Sequence, residues 1–214
     1  MSTVKSRRAQ RLEQAPPSKG ELREQAILDA AERLLHTTSL ADLTIDEIAR
    51  GAGLSRPSLY FYFSDKERVF AALLDRSMQQ IRTALLEWLS SPELPAIDGL
   101  RESYAQIAEI WRLHGPVLRA AVENRNSMPA VAAQWDEMFN QIMDVTAQLI
   151  ARERAAGRAA TGHPDEHEIA RLLMYMSERS LYEMSLQGAG RREWNRYVAS
   201  AVTLWYRGAG LRDG

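Results

Sequence analysis

Three helix-start signals crowd into residues 44–67, and this spacing constrains the fold more than any other feature of the chain. Thr44-Ile-Asp-Glu47 and Ser64-Asp-Lys-Glu67 both have the form of a capping box. In that motif a hydroxyl accepts from the amide three residues on, and the carboxylate returns to the cap amide. Between them Ser55 supplies a third cap, with Pro57 in the first turn, where a missing amide proton costs nothing. Gly51-Ala-Gly53 provides the permissive backbone that a tight turn needs. Three short helices with a glycine-containing turn between the second and third make a helix-turn-helix.

The run Tyr60-Phe-Tyr-Phe63 favours a strand by propensity. The caps on either side predict instead that it lies inside a helix of about eight residues. At helical phase Leu59 and Phe63 share the inward face, Phe61 points the opposite way, and Tyr60 and Tyr62 flank it.

Upstream, Ile27, Ala30, Ala31, Leu34 and Leu35 recur at three- and four-residue steps and predict a helix from Glu21 to about His36. Residues 1–20 read as a disordered basic arm. Lys5, Arg7, Arg8, Arg11 and Lys19 stand against the single Glu13, followed by Pro16 and Pro17. Downstream, a helix from about Asp65 to Leu89 is broken by Ser90-Ser-Pro-Glu-Leu-Pro95, and five more are predicted over 97–113, 116–124, 129–156, 165–187 and 191–207. The expectation is an all-α chain of about nine helices, with no strand pattern and no repeat. It divides into the arm, a DNA-binding domain over 21–80 and a second domain over 81–214.

The net charge of −1 and pI of about 6.5 give the chain as a whole no polycation signature, so any nucleic-acid contact has to be local. Cysteine is absent, which removes thiolate chemistry and sulfur-ligated zinc. No apolar stretch reaches the length of a signal peptide or a membrane span, so a soluble cytoplasmic protein without a membrane partner is expected.

A helix-turn-helix puts the N-terminal residues of its third helix into the major groove of double-stranded operator DNA. Ser55, Arg56, Pro57 and Ser58 form that leading end, where Arg56 can make the bidentate contact to guanine. Tyr60 and Tyr62 can reach phosphates, and Phe61 can meet a thymine methyl or a sugar. Thr44 and Lys66 begin the flanking helices, where they would fix register on the backbone.

Residues 20–80, and above all Thr44 through Glu67, resemble the DNA-binding domain of the TetR family of bacterial repressors. The resemblance implies an all-helical homodimer with an N-terminal reader and a C-terminal domain that binds a small effector. A looser similarity to a mycobacterial member continues through Leu74-Asp-Arg76, the region of Trp135, and Met176 to Leu181.

In the second half Val131, Trp135, Met138, Ile142, Val145 and Leu149 form an apolar stripe with Phe139 and Met143 beside it. Ile107, Trp111, Met174 and Trp205 can converge on its upper part. Such a stripe is commonly plain core. The resemblance implies a pocket for a hydrophobic small molecule, with Met174 and Ser177 standing where the mycobacterial member has asparagines. The last two helices are apolar over broad arcs, and Tyr175, Tyr182, Leu186, Trp194, Tyr197, Val198, Ala201 and Val202 are the candidate homodimer surface.

Other chemistry has weaker support. His163 and His167 have a metal-compatible spacing, but Gly162 and Pro164 place the first in a loop, so no metal and no cofactor is expected. Glu178-Arg179 reads as an ion pair buried in an apolar helix. No nucleophile, base and orienter can be assembled, so an enzyme is not expected. The sequence points to a ligand-responsive repressor; the alternative is a constitutive or architectural DNA-binding dimer without an effector.

Overall fold

The computed structural model describes residues 18–89, 96–162 and 164–212. Most of the basic arm, the interhelical segment Ser90–Pro95 and His163 therefore lie outside the described residues. Eight helices are present among those described: α1 (Lys19–Leu35), α2 (Ile45–Gly51), α3 (Arg56–Tyr60), α4 (Lys66–Leu89), α5 (Ala96–Asn124), α6 (Pro129–Ala155), α7 (Glu166–Leu186) and α8 (Arg191–Gly208). No strand occurs among them; Ala159 and Leu211 form one isolated antiparallel bridge.

Two compact units are present, Met1–Phe70 and Ala71–Gly214, and the division falls inside α4. In the first unit α1 starts at Lys19, two residues before the predicted Glu21, because Ser18 and Glu21 close a capping box that sequence reading had overlooked. Ile27, Ala30 and Ala31 on α1, Ile48 and Ala49 on α2, Leu59 on α3 and Val69 and Phe70 on α4 make its core. The turn after α2 is a Schellman motif: Leu54 N–H donates to the Ala49 carbonyl, Gly53 N–H to that of Arg50, and Gly53 sits at φ +69°. Gly51 lets α1 and α2 approach closely, since a Cβ there would lie 3.2 Å from that of Ala30. Arg33 locks the same corner by donating to the Gly51 carbonyl at 3.0 Å.

In the second unit α6 packs most extensively on α7, and α5 packs on both α7 and α8. The two helices expected over 97–113 and 116–124 are one kinked element, α5. His114 leaves helical geometry (φ −107°, ψ 18°) beside Pro116, yet the chain resumes the helix instead of ending it. The end of the chain is held to the α6–α7 connection by Ala160 N–H to Gly210 O and Arg212 N–H to Arg158 O, both 2.8 Å. Glu153 is buried beneath this connection and accepts from Arg158 at 2.8 and 3.1 Å, which holds its carboxyl below the usual range.

Candidate functional site

The reading unit differs from expectation in the length of α3. Helix α3 stops at Tyr60; Phe61 is its C-cap, and Tyr62 and Phe63 turn back with their amides on the Leu59 carbonyl. The aromatic run is thus mostly a turn, a correction of the eight-residue helix. Its inside-outside sorting is nevertheless that of the helical wheel, because the cap retains αR geometry: Leu59 is 0% and Phe63 9% exposed, while Phe61 is 89% exposed. Tyr60 is also exposed and Tyr62 half-buried.

Thr44 and Ser55 cap α2 and α3 as predicted. Thr44 and Glu47 close their box on both sides, and the Thr44 hydroxyl and amide hold the Glu47 carboxyl below its ordinary range. Ser58 bonds the Ser55 hydroxyl at 2.8 Å, and Pro57 is exposed beside them. At the start of α4 the expected Ser64 box is absent. Asp65 accepts from Arg68 N–H at 2.7 Å and is the cap, with the Ser64 hydroxyl donating to its other oxygen.

Arg56 is exposed at the leading end of α3 but not free. One Nη1 proton goes to Asp46 Oδ2 at 3.0 Å, and Nη2 donates to the Tyr60 hydroxyl at 3.2 Å. Lys66 departs further from expectation. Its Nζ donates to the carbonyls of Leu40 (3.1 Å) and Ala41 (2.7 Å), so it ties the α1–α2 connection to α4 and keeps one proton for any phosphate. Lys66→Ala is therefore expected to lower the stability of this unit by about 1 kcal/mol, besides weakening binding to every duplex. Thermal melts beside binding curves separate the two effects; an unchanged melting temperature would leave Lys66 a simple phosphate contact.

In the second unit an apolar cavity of about 70 Å³ lies among five helices. Ile81 and Leu85 come from α4, Leu100, Tyr104, Ile107 and Trp111 from α5, and Trp135, Met138, Phe139, Ile142 and Thr146 from α6. Met174, Ser177, Glu178 and Leu181 of α7 and Trp205 of α8 close it. Of the ten predicted ligand residues only Met143 is absent; it is half-buried on a neighbouring face of α6. Trp111 and Trp135 meet edge-on, with ring centroids 6.4 Å apart. Trp135 Nε1 is buried and has no acceptor among the described residues.

Three walls of the cavity, Tyr104, Ser177 and Trp205, belong to a buried polar network. Trp205 Nε1–H donates to Ser177 Oγ at 2.7 Å, Tyr104 OH lies 3.2 Å from the same oxygen and 2.9 Å from Tyr197 OH, and Tyr197 OH lies 2.8 Å from Ser180 Oγ. Burial pushes both phenols above their ordinary pKa, so each is neutral. Sequence reading missed Tyr104, although Leu100, Tyr104, Ile107 and Trp111 step along one face by four, three and four.

The expected Glu178–Arg179 pair is not formed, because neighbours on a helix diverge by about 100°. Arg179 turns outward to Glu183, and the Glu178 side chain, 12% exposed, has Arg125 as its ion-pair partner at 3.9 Å. Burial raises the Glu178 pKa and outweighs the opposing charges of Arg125 and Arg179. His167 is exposed 3.7 Å from Asp144, and no group of three potential metal ligands exists among the described residues.

Residues 27–73 match the family described as "Bacterial regulatory proteins, tetR family", and residues 100–209 match "Transcriptional regulator EthR, C-terminal domain". The HTH-type transcriptional regulator EthR of Mycobacterium tuberculosis is 38% identical over 169 residues, covering 78% of this chain and 77% of that protein. The chain belongs to the TetR family. Its EthR relative from Mycolicibacterium smegmatis is 31% identical over 205 residues, covering 96% and 94%. Among solved structures the TetR fold recurs in NalD, the secondary repressor of the MexAB-OprM multidrug efflux pump in Pseudomonas aeruginosa. That structure has TM-score 0.72 at 18% identity and covers 91% of this chain and 98% of that one.

This TetR-family protein is accordingly a DNA-binding helix-turn-helix transcriptional regulator with an EthR-like C-terminal domain. No helix among its described residues is long and apolar enough to cross a membrane. The predicted dimer residues divide into two groups. Tyr175 and Leu186 are exposed, and Tyr182, Tyr197 and Val198 are half-buried. Trp194, Ala201 and Val202 are at most 4% exposed within one chain. These three belong to the packing of α8 inside the bundle, a correction that follows because an apolar arc does not reveal which part of it a neighbouring helix of the same chain covers.

Proposed function

We propose that this regulator is a ligand-responsive repressor: a homodimer that holds operator DNA and releases it when an apolar small molecule enters the cavity of the C-terminal domain. The observation that carries the reading is the cavity itself. At about 70 Å³ it has room for a few waters, whereas pockets that hold a small organic ligand are roughly 300–1,000 Å³. A ligand larger than the space must displace its walls, and two of those walls are Ile81 and Leu85 on α4, the helix that begins at Lys66 in the reading unit. Binding energy spent on those residues favours whichever state of α4 has the larger cavity. A ligand controls DNA binding only through such a difference between states.

The homodimer is supported by the apolar surface left over on α7 and α8. Leu172, Tyr175, Leu186 and Leu204 are each more than half exposed. Burying such residues between two copies stabilises association, and two readers match a two-fold operator.

The test is release from a duplex that the protein itself selects from a randomised pool, measured with n-alkanols of increasing length. Release should rise with chain length, and Ile107→Trp, which fills the cavity, should bind the duplex normally and lose the response. DNA binding indifferent to every alkanol would favour the constitutive reading.

A further inference from the structure

Arg56 is held from two sides, and neither contact is explained by stability. The Arg56–Asp46 pair has side chains 55% and 53% exposed, and an ion pair that open to water contributes little to folding. Asp46 lies in the first turn of α2, on the opposite side of the tight turn from α3. Tyr60, one helical turn along α3, accepts from Nη2 while its ring lies 5.7 Å from the guanidinium carbon. A free arginine at a groove-facing position samples many rotamers, and ordering it on DNA carries an entropic cost. Here the guanidinium plane is set beforehand by a carboxylate on one helix and a phenol on the next. Two of the five N–H groups are used and three remain for a base edge. Tyr60 keeps its own O–H proton, so it can donate to a phosphate while it accepts from Arg56.

We propose that Asp46 is a specificity-determining positioning residue: its carboxylate, with the Tyr60 hydroxyl, holds Arg56 in one orientation so that the remaining N–H edge meets a single base pair. The proposal rests on Arg56 being a base-reading residue. It also explains an acid at the front of a helix that faces a polyanion, where its charge alone opposes binding.

The experiment uses the full-length protein, the duplex it selects from a randomised pool, and single-base-pair variants of that duplex. Asp46→Ala should lower selectivity about three- to tenfold at one base pair, the same pair at which Arg56→Ala loses its preference. Affinity for the other variants should hold or rise, since a negative charge has gone. Asp46→Asn retains an acceptor for Nη1 and should keep most of the selectivity. Asp42→Ala removes an equal charge from a residue bonded to Ser39 rather than Arg56, and should leave the selectivity profile intact. If Arg56→Ala flattens one position while Asp46→Ala does not, Asp46 has no positioning role although Arg56 still reads. If Arg56→Ala flattens no position, the reading assignment falls and takes the proposal with it. A uniform loss across all duplexes for Asp46→Ala would make its role structural and overturn the proposal.

Discussion

Arg56→Ala is expected to cost about 1–3 kcal/mol of discrimination at one base pair, roughly five- to 150-fold in relative affinity. Binding to unrelated duplexes should change little. The size follows from geometry: a bidentate arginine contributes two directional hydrogen bonds that a wrong base leaves unmade, and Arg56 has three N–H groups uncommitted after its bonds to Asp46 and Tyr60. The fold should be indifferent, because the side chain is more than half exposed and its ion pair is a surface one. A table of affinities for single-base-pair variants is the measurement. Equal weakening on every duplex would make Arg56 a phosphate contact and move base reading elsewhere on α3.

Trp135→Ala acts on the other unit and should destabilise it by about 3–5 kcal/mol, which for a domain of this size lowers Tm by roughly 10 °C. Trp135 is 2% exposed, packs edge-on against Trp111 and walls a cavity that already exists. The lost ring therefore enlarges a hole instead of letting neighbours collapse into a tight core. The enlarged cavity has a consequence that a plain core substitution lacks. Bulky apolar molecules that fill it should restore much of the Tm by mass action on the folded state, and the length of alkanol that best releases DNA should shift upward. Duplex selectivity should match the wild type. A Tm unchanged by the substitution would mean that Trp135 is not packed as described; a lowered Tm that no apolar molecule restores would argue against a binding cavity.

The elements that sequence reading placed correctly are those set by neighbours along the chain. Thr44 and Ser55 cap because an oxygen two or three residues from an unpaired amide will bond it wherever the segment sits. Gly53 adopts positive φ because the turn needs it and its side chain offers no resistance. Phe61 points out and Phe63 in because backbone phase persists for about one turn past the end of α3. Where two local signals competed, the sequence was ambiguous. Ser64 and Asp65 can each cap α4, and the carboxylate prevailed, accepting from Arg68 N–H at 2.7 Å. Gly115-Pro116 reads as a break, yet α5 bends and continues.

The cavity was legible in part because apolar residues at helical spacing must face something. Eight of its walls were named from that rule and Ser177 from the family resemblance, while Tyr104, in phase with Ile107 and Trp111, was missed. Nothing in its neighbours along the chain signals that it meets Ser177 and Tyr197, which lie 73 and 93 residues away.

By itself, then, the sequence determined most of the helices, the turn of the reader and the inward and outward sorting of its aromatic run, since these depend on hydrogen bonds and periodicity within a few residues. Tertiary structure alone decided how the polar side chains are employed. Lys66 binds two carbonyls of a distant connection, Arg56 is clamped by Asp46, and Glu178 parts from Arg179 to sit beside the cavity. It also decided which half of the α8 surface is already buried within the chain. The reason is that a charged or aromatic group takes its partner from whatever the fold brings within about 3–4 Å, and that neighbour is set by how helices pack, at sequence separations no local pattern spans.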